Sequence, residues 1–145
     1  YNSHHVYPYT RELAIEYVTR VRSQKNDLVL AIVEKGSGKH IGNISLQNLH
    51  PINRNAEFAV ILGDKEYWGK GIGEEASRLL IKHGFEQLNL HRIYCGTSVK
   101  NIAMQKLAAA LGFVQEGIRK DAMFKNAEFV DVIEYGLLRS QYTTE

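Results

Sequence analysis

Apolar residues recur along this chain with two different periods, and the changes of period divide it into elements. From Thr10 to Gln24, Leu13, Tyr17, Val18 and Val21 fall at helical spacing, which predicts an amphipathic helix with Thr10 placed to cap its start. The runs "LVLAIVEK" (28–35) and "IGNISLQNL" (41–49) are β-rich instead, and they flank the turn "GSGK" in the manner of a hairpin. A turn-like "HPINRN" then leads to "AEFAVIL" (56–62), a third strand. Strands joined by such short turns form an antiparallel meander.

In the second half Ile72, Ala76, Leu79, Leu80 and His83 mark one face of a helix that reaches about Leu88, and "RIYCGTSV" (92–99) reads as a strand. Strand, helix and strand make a βαβ crossover, so 56–62 and 92–99 are expected to be parallel neighbours. Asn101 can cap a further helix, with Met104, Leu107, Ala108 and Leu111 on its apolar side and Gly112 as its stop. "FVQEGIR" (113–119) and "FVDVIEYGLL" (129–138) supply two more strands with a polar connection between them. The expected fold is α/β, a mixed sheet with helices on its faces. No internal repeat, low-complexity tract or linker divides residues 1–145, which read as a single domain.

Composition narrows the classes of function. At 145 residues and 44% apolar content the chain is long enough for one well-packed core. A formal net charge of +2 creates no global field of the kind that marks nucleic-acid or membrane-surface proteins, so a charged ligand has to be met locally. No apolar run approaches the ~20 residues that span a bilayer, and "YNSHHVYPYT" lacks the features of a signal peptide. The single cysteine, Cys95, excludes an intrachain disulfide framework and fits a reducing cytoplasm. Cys95 reads as a core residue, since no glycine elbow or paired base surrounds it, and the six histidines, His4 and His5 among them, show no metal-ligand spacing.

The most informative stretch is "KEYWGKGIG" (65–73), between the third strand and the long helix. A helix N-terminus has unpaired N–H groups and a partial positive charge, so it stabilises an anion. Gly69, Gly71 and Gly73 remove side chains that would hold a phosphate away, and Lys70 adds a mobile cation. A glycine-softened turn that merely opens a helix is the plainer alternative. The Gly-Lys-Ser/Thr of a P-loop is absent. "GIGEEA" (71–76) matches the dinucleotide pattern G-x-G-x-x-G/A, but the intervening "GDKEYW", the antiparallel meander and the lack of a carboxylate near Val99 argue against that cofactor.

"WGKGIG" (68–73) resembles the Q/R-x-x-G-x-G/A pyrophosphate loop of the GNAT superfamily of acyl-CoA-dependent N-acetyltransferases, with Trp68 in place of Gln or Arg. The longer "EYWGKGIGEEA" is similar to the RimJ/RimL-type branch, and residues 99–138 resemble that branch's later part, with "LGF" and then "EG" following an asparagine that opens a helix. Bacterial spermidine N-acetyltransferases share this layout. The likeness covers roughly 28–138, while the strand and helix with which such proteins begin look to be missing ahead of "NSHHVYPYTRELAIEYV".

The resemblance implies a GNAT fold: a mixed, mostly antiparallel sheet whose central parallel pair splays apart to take coenzyme A. It implies acetyl-CoA as cofactor, with its diphosphate on Trp68, Gly69, Lys70, Gly71, Ile72 and Gly73 and its pantetheine arm against the backbone of Ile61 and Leu62. Asn101 corresponds to the asparagine that bonds the arm, and Lys106 or Lys100 could meet a phosphate. An alkylamine with a pKa of about 10.4 is mostly protonated at pH 7, so acetyl transfer needs a base. Glu57, at the start of the strand leading to the loop, is the candidate, its alternative being a polar-face residue paired with Arg54. The tyrosine that such enzymes use to protonate the departing thiolate is replaced by Ala108, leaving Tyr67, Tyr94 and Tyr135 to consider. The implied partner is a small-molecule amine or a protein N-terminal amine, with neither nucleic acid nor membrane, and a homo-oligomer is compatible with it. Asp64 and Glu66 would suit a cationic amine. A domain that binds acyl-CoA as sensor or scaffold, without turnover, is the second reading.

Overall fold

The computed structural model describes residues 10–23, 25–63 and 65–142. The first expected helix forms as α1 (Arg11–Ser23), and Thr10 caps it, the Leu13 N–H donating to Thr10 Oγ1 at 3.2 Å. Yet α1 buries none of its residues, and Leu13, Tyr17 and Val18 are exposed. The amphipathic pattern is realised here as a helix but not as packing.

The meander follows as β1 (Leu28–Val33), β2 (His40–His50) and β3 (Asn55–Leu62), each antiparallel to the next. Then come α2 (Ile72–Glu86), β4 (Arg92–Ser98), α3 (Ile102–Ala110) and the hairpin of β5 (Val114–Lys125) and β6 (Glu128–Leu138). They complete a six-stranded sheet in the order β1-β2-β3-β4-β6-β5, in which β3 and β4 are the parallel pair and every other pairing is antiparallel.

Alternation along the strands turns Leu46, Phe58, Ile93, Cys95 and Leu137 to one face, where α2 and α3 cover them. Phe58 packs on Phe113, at the end of α3, with ring centroids 5.9 Å apart. From α2 the buried residues are Ser77, Leu80, Ile81, Gly84 and Phe85. Leu79 and His83, expected on that face, point to solvent, Leu79 being 65% exposed. The packed face is rotated by roughly 100°, one residue's turn, from the one that apolar spacing marks. Small residues cause this. A Cβ on Gly84 would lie only 3.0 Å from the Leu46 side chain and 3.2 Å from that of Ile93, so the helix sits down on the sheet through a position that hydrophobicity counting ignores.

The hairpin also departs from expectation. β5 runs on to Lys125 instead of ending near Arg119, its ladder with β6 shifting between Arg119 and Met123 where Asp121 takes φ 47°. Asn126 (φ 53°) and Ala127 (φ 61°) form a two-residue turn, so the expected polar connection is mostly strand.

Phe85 is fully buried and stacks 5.1 Å from the Tyr142 ring. Phe85→Ala is expected to cost about 3–5 kcal/mol, seen as a lowered urea midpoint with an unchanged slope.

Candidate active site

β3 and β4 pair through three positions only: Asn55 with Arg92, Ala56 with Ile93 and Glu57 with Tyr94. Both strands continue past that point, β3 to Leu62 held by β2, and β4 to Ser98 held by β6. The Gly63 N–H donates to the Ile41 carbonyl at 2.9 Å, so alternation ties the peptide groups of Ala59 and Ile61 to β2 and turns those of Phe58, Val60 and Leu62 toward the opening. Likewise the Val99 N–H donates to the Asp131 carbonyl at 3.0 Å, which turns the peptide groups of Gly96 and Ser98 toward β3. Of the two residues expected to line the arm, Leu62 therefore faces the opening and Ile61 does not. Val60 takes its place, since a shift of one residue reverses the edge that a peptide presents. Two carbonyls on these edges are already engaged: that of Leu62 accepts the Trp68 indole N–H at 3.0 Å, and that of Ser98 accepts the Asn101 N–H at 2.9 Å.

At the wide end of the opening the chain turns through Lys65–Tyr67 and enters α2. Trp68 is a strut there, not an anion donor, because its backbone N–H bonds to the Lys65 carbonyl and its indole to Leu62. Gly69 (φ 74°) and Gly71 (φ 77°) hold left-handed conformations, with open space where a Cβ would stand. They are glycines for conformation rather than for close approach. The first bond inside α2 runs from the Glu75 N–H to the Gly71 carbonyl, so the N–H groups of Ile72, Gly73 and Glu74 precede the helical ladder. Among the described residues, no hydrogen bond takes the N–H of Gly69, Lys70, Gly71, Ile72 or Gly73. Gly73 differs from the other two: its φ is ordinary, and a Cβ would make only a 3.7 Å contact with the Leu62 side chain. The fold does not need a glycine at that position.

Lys70 lies 5.7 Å from the Tyr67 ring centroid, and Tyr67 donates its hydroxyl proton to Glu34. That hydrogen bond, more than burial, raises the Tyr67 pKa. Asn101 caps α3 as expected, its Oδ1 accepting the Met104 N–H at 3.1 Å. Of the two lysines considered for phosphate, Lys100 pairs with Glu128, whereas Lys106 is exposed and in no ion pair among the described residues.

Glu57 stands half-buried on the sheet face away from α2, level with Tyr94 where the strands part. Its Oε2 accepts from Asn48 Nδ2 at 3.4 Å, a long contact. Pairing with Arg54 does not occur, since Arg54 donates to Asn89 instead. Glu57 has no cationic partner among the described residues. Of the three tyrosines, Tyr135 is buried in the core and Tyr67 is bound to Glu34. Tyr94 shares the face of Glu57, and burial, followed by the Glu57 charge, raises its pKa. Ala108 is fully buried in the core. Asp64, His4 and His5 lie outside the described residues.

This arrangement of splayed strands, glycine turn and carboxylate coincides with a family match. The family model for the acetyltransferase (GNAT) domain matches residues 1–114, and the chain belongs to that family. It is 36% identical over 108 residues to YdaF of Bacillus subtilis (strain 168), an inferred ribosomal N-acetyltransferase, with 74% of this chain and 58% of that protein covered. It is 33% identical over 111 residues to the spermidine N(1)-acetyltransferase of Vibrio cholerae, covering 77% of this chain and 64% of the relative. The chain thus spans about three fifths of these relatives' length. In three dimensions it superposes on the Vibrio cholerae spermidine N-acetyltransferase in complex with CoA and spermine with a TM-score of 0.86 at 28% identity, over 94% of this chain and 80% of that one.

Two stability contrasts follow from the glycines and from the core thiol. Gly71→Ala, forced into a left-handed conformation, is expected to lose about 1–2 kcal/mol, whereas Gly73→Ala gains up to about 1 kcal/mol from helix propensity, both measured by chemical denaturation. Burial, assisted by the Glu57 and Glu134 charges, pushes the Cys95 thiol up to about 12. A thiol reagent at pH 8 is therefore expected to modify Cys95 only as fast as the protein unfolds.

Proposed function

We propose that residues 1–145 form one acetyltransferase domain that transfers the acetyl group of acetyl-CoA to a primary amine by direct attack in a ternary complex. One observation carries this reading: the β3–β4 ladder stops at Glu57 and Tyr94, while the unpaired N–H groups of residues 69–73 stand at the wide end of the same opening. The residues present fit acetyl-CoA. The glycine turn offers convergent N–H donors of the kind a diphosphate needs. The edges at Val60, Leu62 and Gly96 offer peptide groups to an extended amide arm, in the way a sheet accepts an added strand. Acetyl-CoA supplies an acyl carbon activated as a thioester.

The rest of the chemistry falls to the chain. Glu57 lies at the narrow end of the opening, where it can take a proton from the incoming ammonium directly or through water. Its lack of a cationic partner makes an amine a favoured neighbour. A small polyamine is the acceptor class best supported, because relatives include spermidine acetylators and one structural neighbour holds spermine. A protein N-terminal amine is the alternative, since a relative in Escherichia coli is a ribosomal-protein-serine acetyltransferase. Among the described residues no helix is long and apolar enough to cross a membrane, and a single buried cysteine, Cys95, suits a cytoplasmic setting.

Release of free thiol from acetyl-CoA, followed with a panel of amines that includes spermidine and N-terminal peptides, tests the proposal. Steady release with any acceptor is expected, and coenzyme-induced thermal stabilisation without release overturns transfer in favour of binding alone. Glu57→Gln should lower kcat about 10²–10³-fold at pH 7. That deficit should shrink as pH approaches the amine pKa of about 10.4, because free amine then needs no base. An equal loss at every pH would exclude the base role. Gly73→Ala should weaken CoA binding about tenfold in calorimetry while the protein stays folded, the result expected where a diphosphate lies against a helix start that carries no side chain.

A further inference from the structure

The opposite, closed end of the parallel pair carries a second feature that the transferase reading does not use. A cleft of about 350 Å³ lies between the β2–β3 turn and the α2–β4 connection, and its lining includes Lys25, His50, Arg54, Asn26 and Asn89 but no carboxylate. We infer that this cleft binds a small tetrahedral oxyanion, either free phosphate or the phosphoryl group of a phosphomonoester.

The cationic groups there are uncompensated among the described residues, and Arg54 is also preorganised. Arg78, Arg92, Lys100, Arg119 and Lys120 each pair with a carboxylate, whereas neither Lys25 nor Arg54 has an acidic partner among the described residues. The guanidinium of Arg54 is locked along one edge, its Nε donating to the Asn89 carbonyl at 2.8 Å and its Nη2 to Asn89 Oδ1 at 3.1 Å. That leaves the Nη1/Nη2 end as the fork that fits two oxygens of an oxyanion. His50 Nδ1 accepts the Asn53 N–H at 2.9 Å, which places the ring proton on Nε2 as a further donor.

The backbone adds a reason to regard the arrangement as built. Arg54 (φ 52°) and Asn89 (φ 56°) are both non-glycine residues in the left-handed region, and they are the two residues that hold each other. The Arg54 carbonyl also accepts the N–H groups of His91 at 2.7 Å and Arg92 at 3.2 Å, which pins the turn to the start of β4. A donor held from both its backbone and its side chain gives up little freedom on binding. The three donors come from two chain segments, so an oxyanion here would tie the residues after α1 to the β2–β3 turn, which Asn89 braces from the end of α2.

Inorganic phosphate titrated into the full chain at constant ionic strength, followed by 15N-resolved NMR, tests this independently of acetyl transfer. Saturable shifts in the millimolar range are expected, concentrated on the amides of Asn26, Asn53 and Asn89 and on Arg54 Nε. Lys25→Gln and Arg54→Gln should each weaken binding at least fivefold. Lys25 makes no bond that the fold needs, so its variant keeps the test valid if Arg54→Gln fails to fold. Methyl phosphate, as a second probe, separates the two sources: equal affinity assigns a phosphomonoester, and lost affinity assigns free phosphate. Shifts confined to residues 69–74, a non-saturating response, or acetate binding as tightly as phosphate would each overturn the inference.

Discussion

A parallel ladder that stops after three residue pairs is the constraint around which the rest of this structure is organised. Backbone donors and acceptors in a sheet normally find partners, and leaving a row of them open in the middle of a sheet is costly unless something else meets them. The structure limits that cost in two ways. The outer edges of β3 and β4 are fully engaged by β2 and β6, which keeps both strands extended past the fork. At the far end the Trp68 indole and the Asn101 N–H take one carbonyl from each strand. What remains open is a short set of peptide groups with the geometry of a missing strand.

Two kinds of electrostatic preparation meet at that fork. At its wide end α2 presents partial positive charge through N–H groups, and at its narrow end stands the Glu57 side chain with no cationic partner among the described residues. A molecule with an anionic end and an acyl end, met by a cationic partner, complements this polarity. Because the chain as a whole carries only a small net charge, such recognition depends on where charges are paired and where they are left alone. Among the described residues five ion pairs neutralise surface arginines and lysines, whereas Lys25 and Arg54 share one carboxylate-free cleft at the closed end.

The membership of the chain in the GNAT family gives this geometry a context without supplying its details. The Vibrio cholerae enzyme crystallised with CoA and spermine has the same fold at a TM-score of 0.86. Ala108 is buried in the core. Tyr94 is the tyrosine that stands beside Glu57.

Much of this was legible in the residues themselves, because the signals are local. Period-two and period-3.6 runs marked six strands and three α-helices, the fifth strand only as far as Arg119, the βαβ order required a parallel pair, and the "WGKGIG" turn marked the helix start with unpaired N–H groups. Tertiary structure decided matters of phase and approach. Whether Ile61 or Val60 faces the opening depends on which neighbour bonds to β3, and alternation alone is blind to that choice. Which stripe of α2 packs depends on Ser77 and Gly84, residues with too little apolar surface to register in a hydrophobic pattern but small enough to admit the sheet. The capping of Leu62 by Trp68 and the convergence of Lys25, His50 and Arg54 join residues that nothing in their spacing connects. Periodicity is a property of one segment, whereas register, close approach and charge convergence belong to pairs of segments and come into being only when the chain folds.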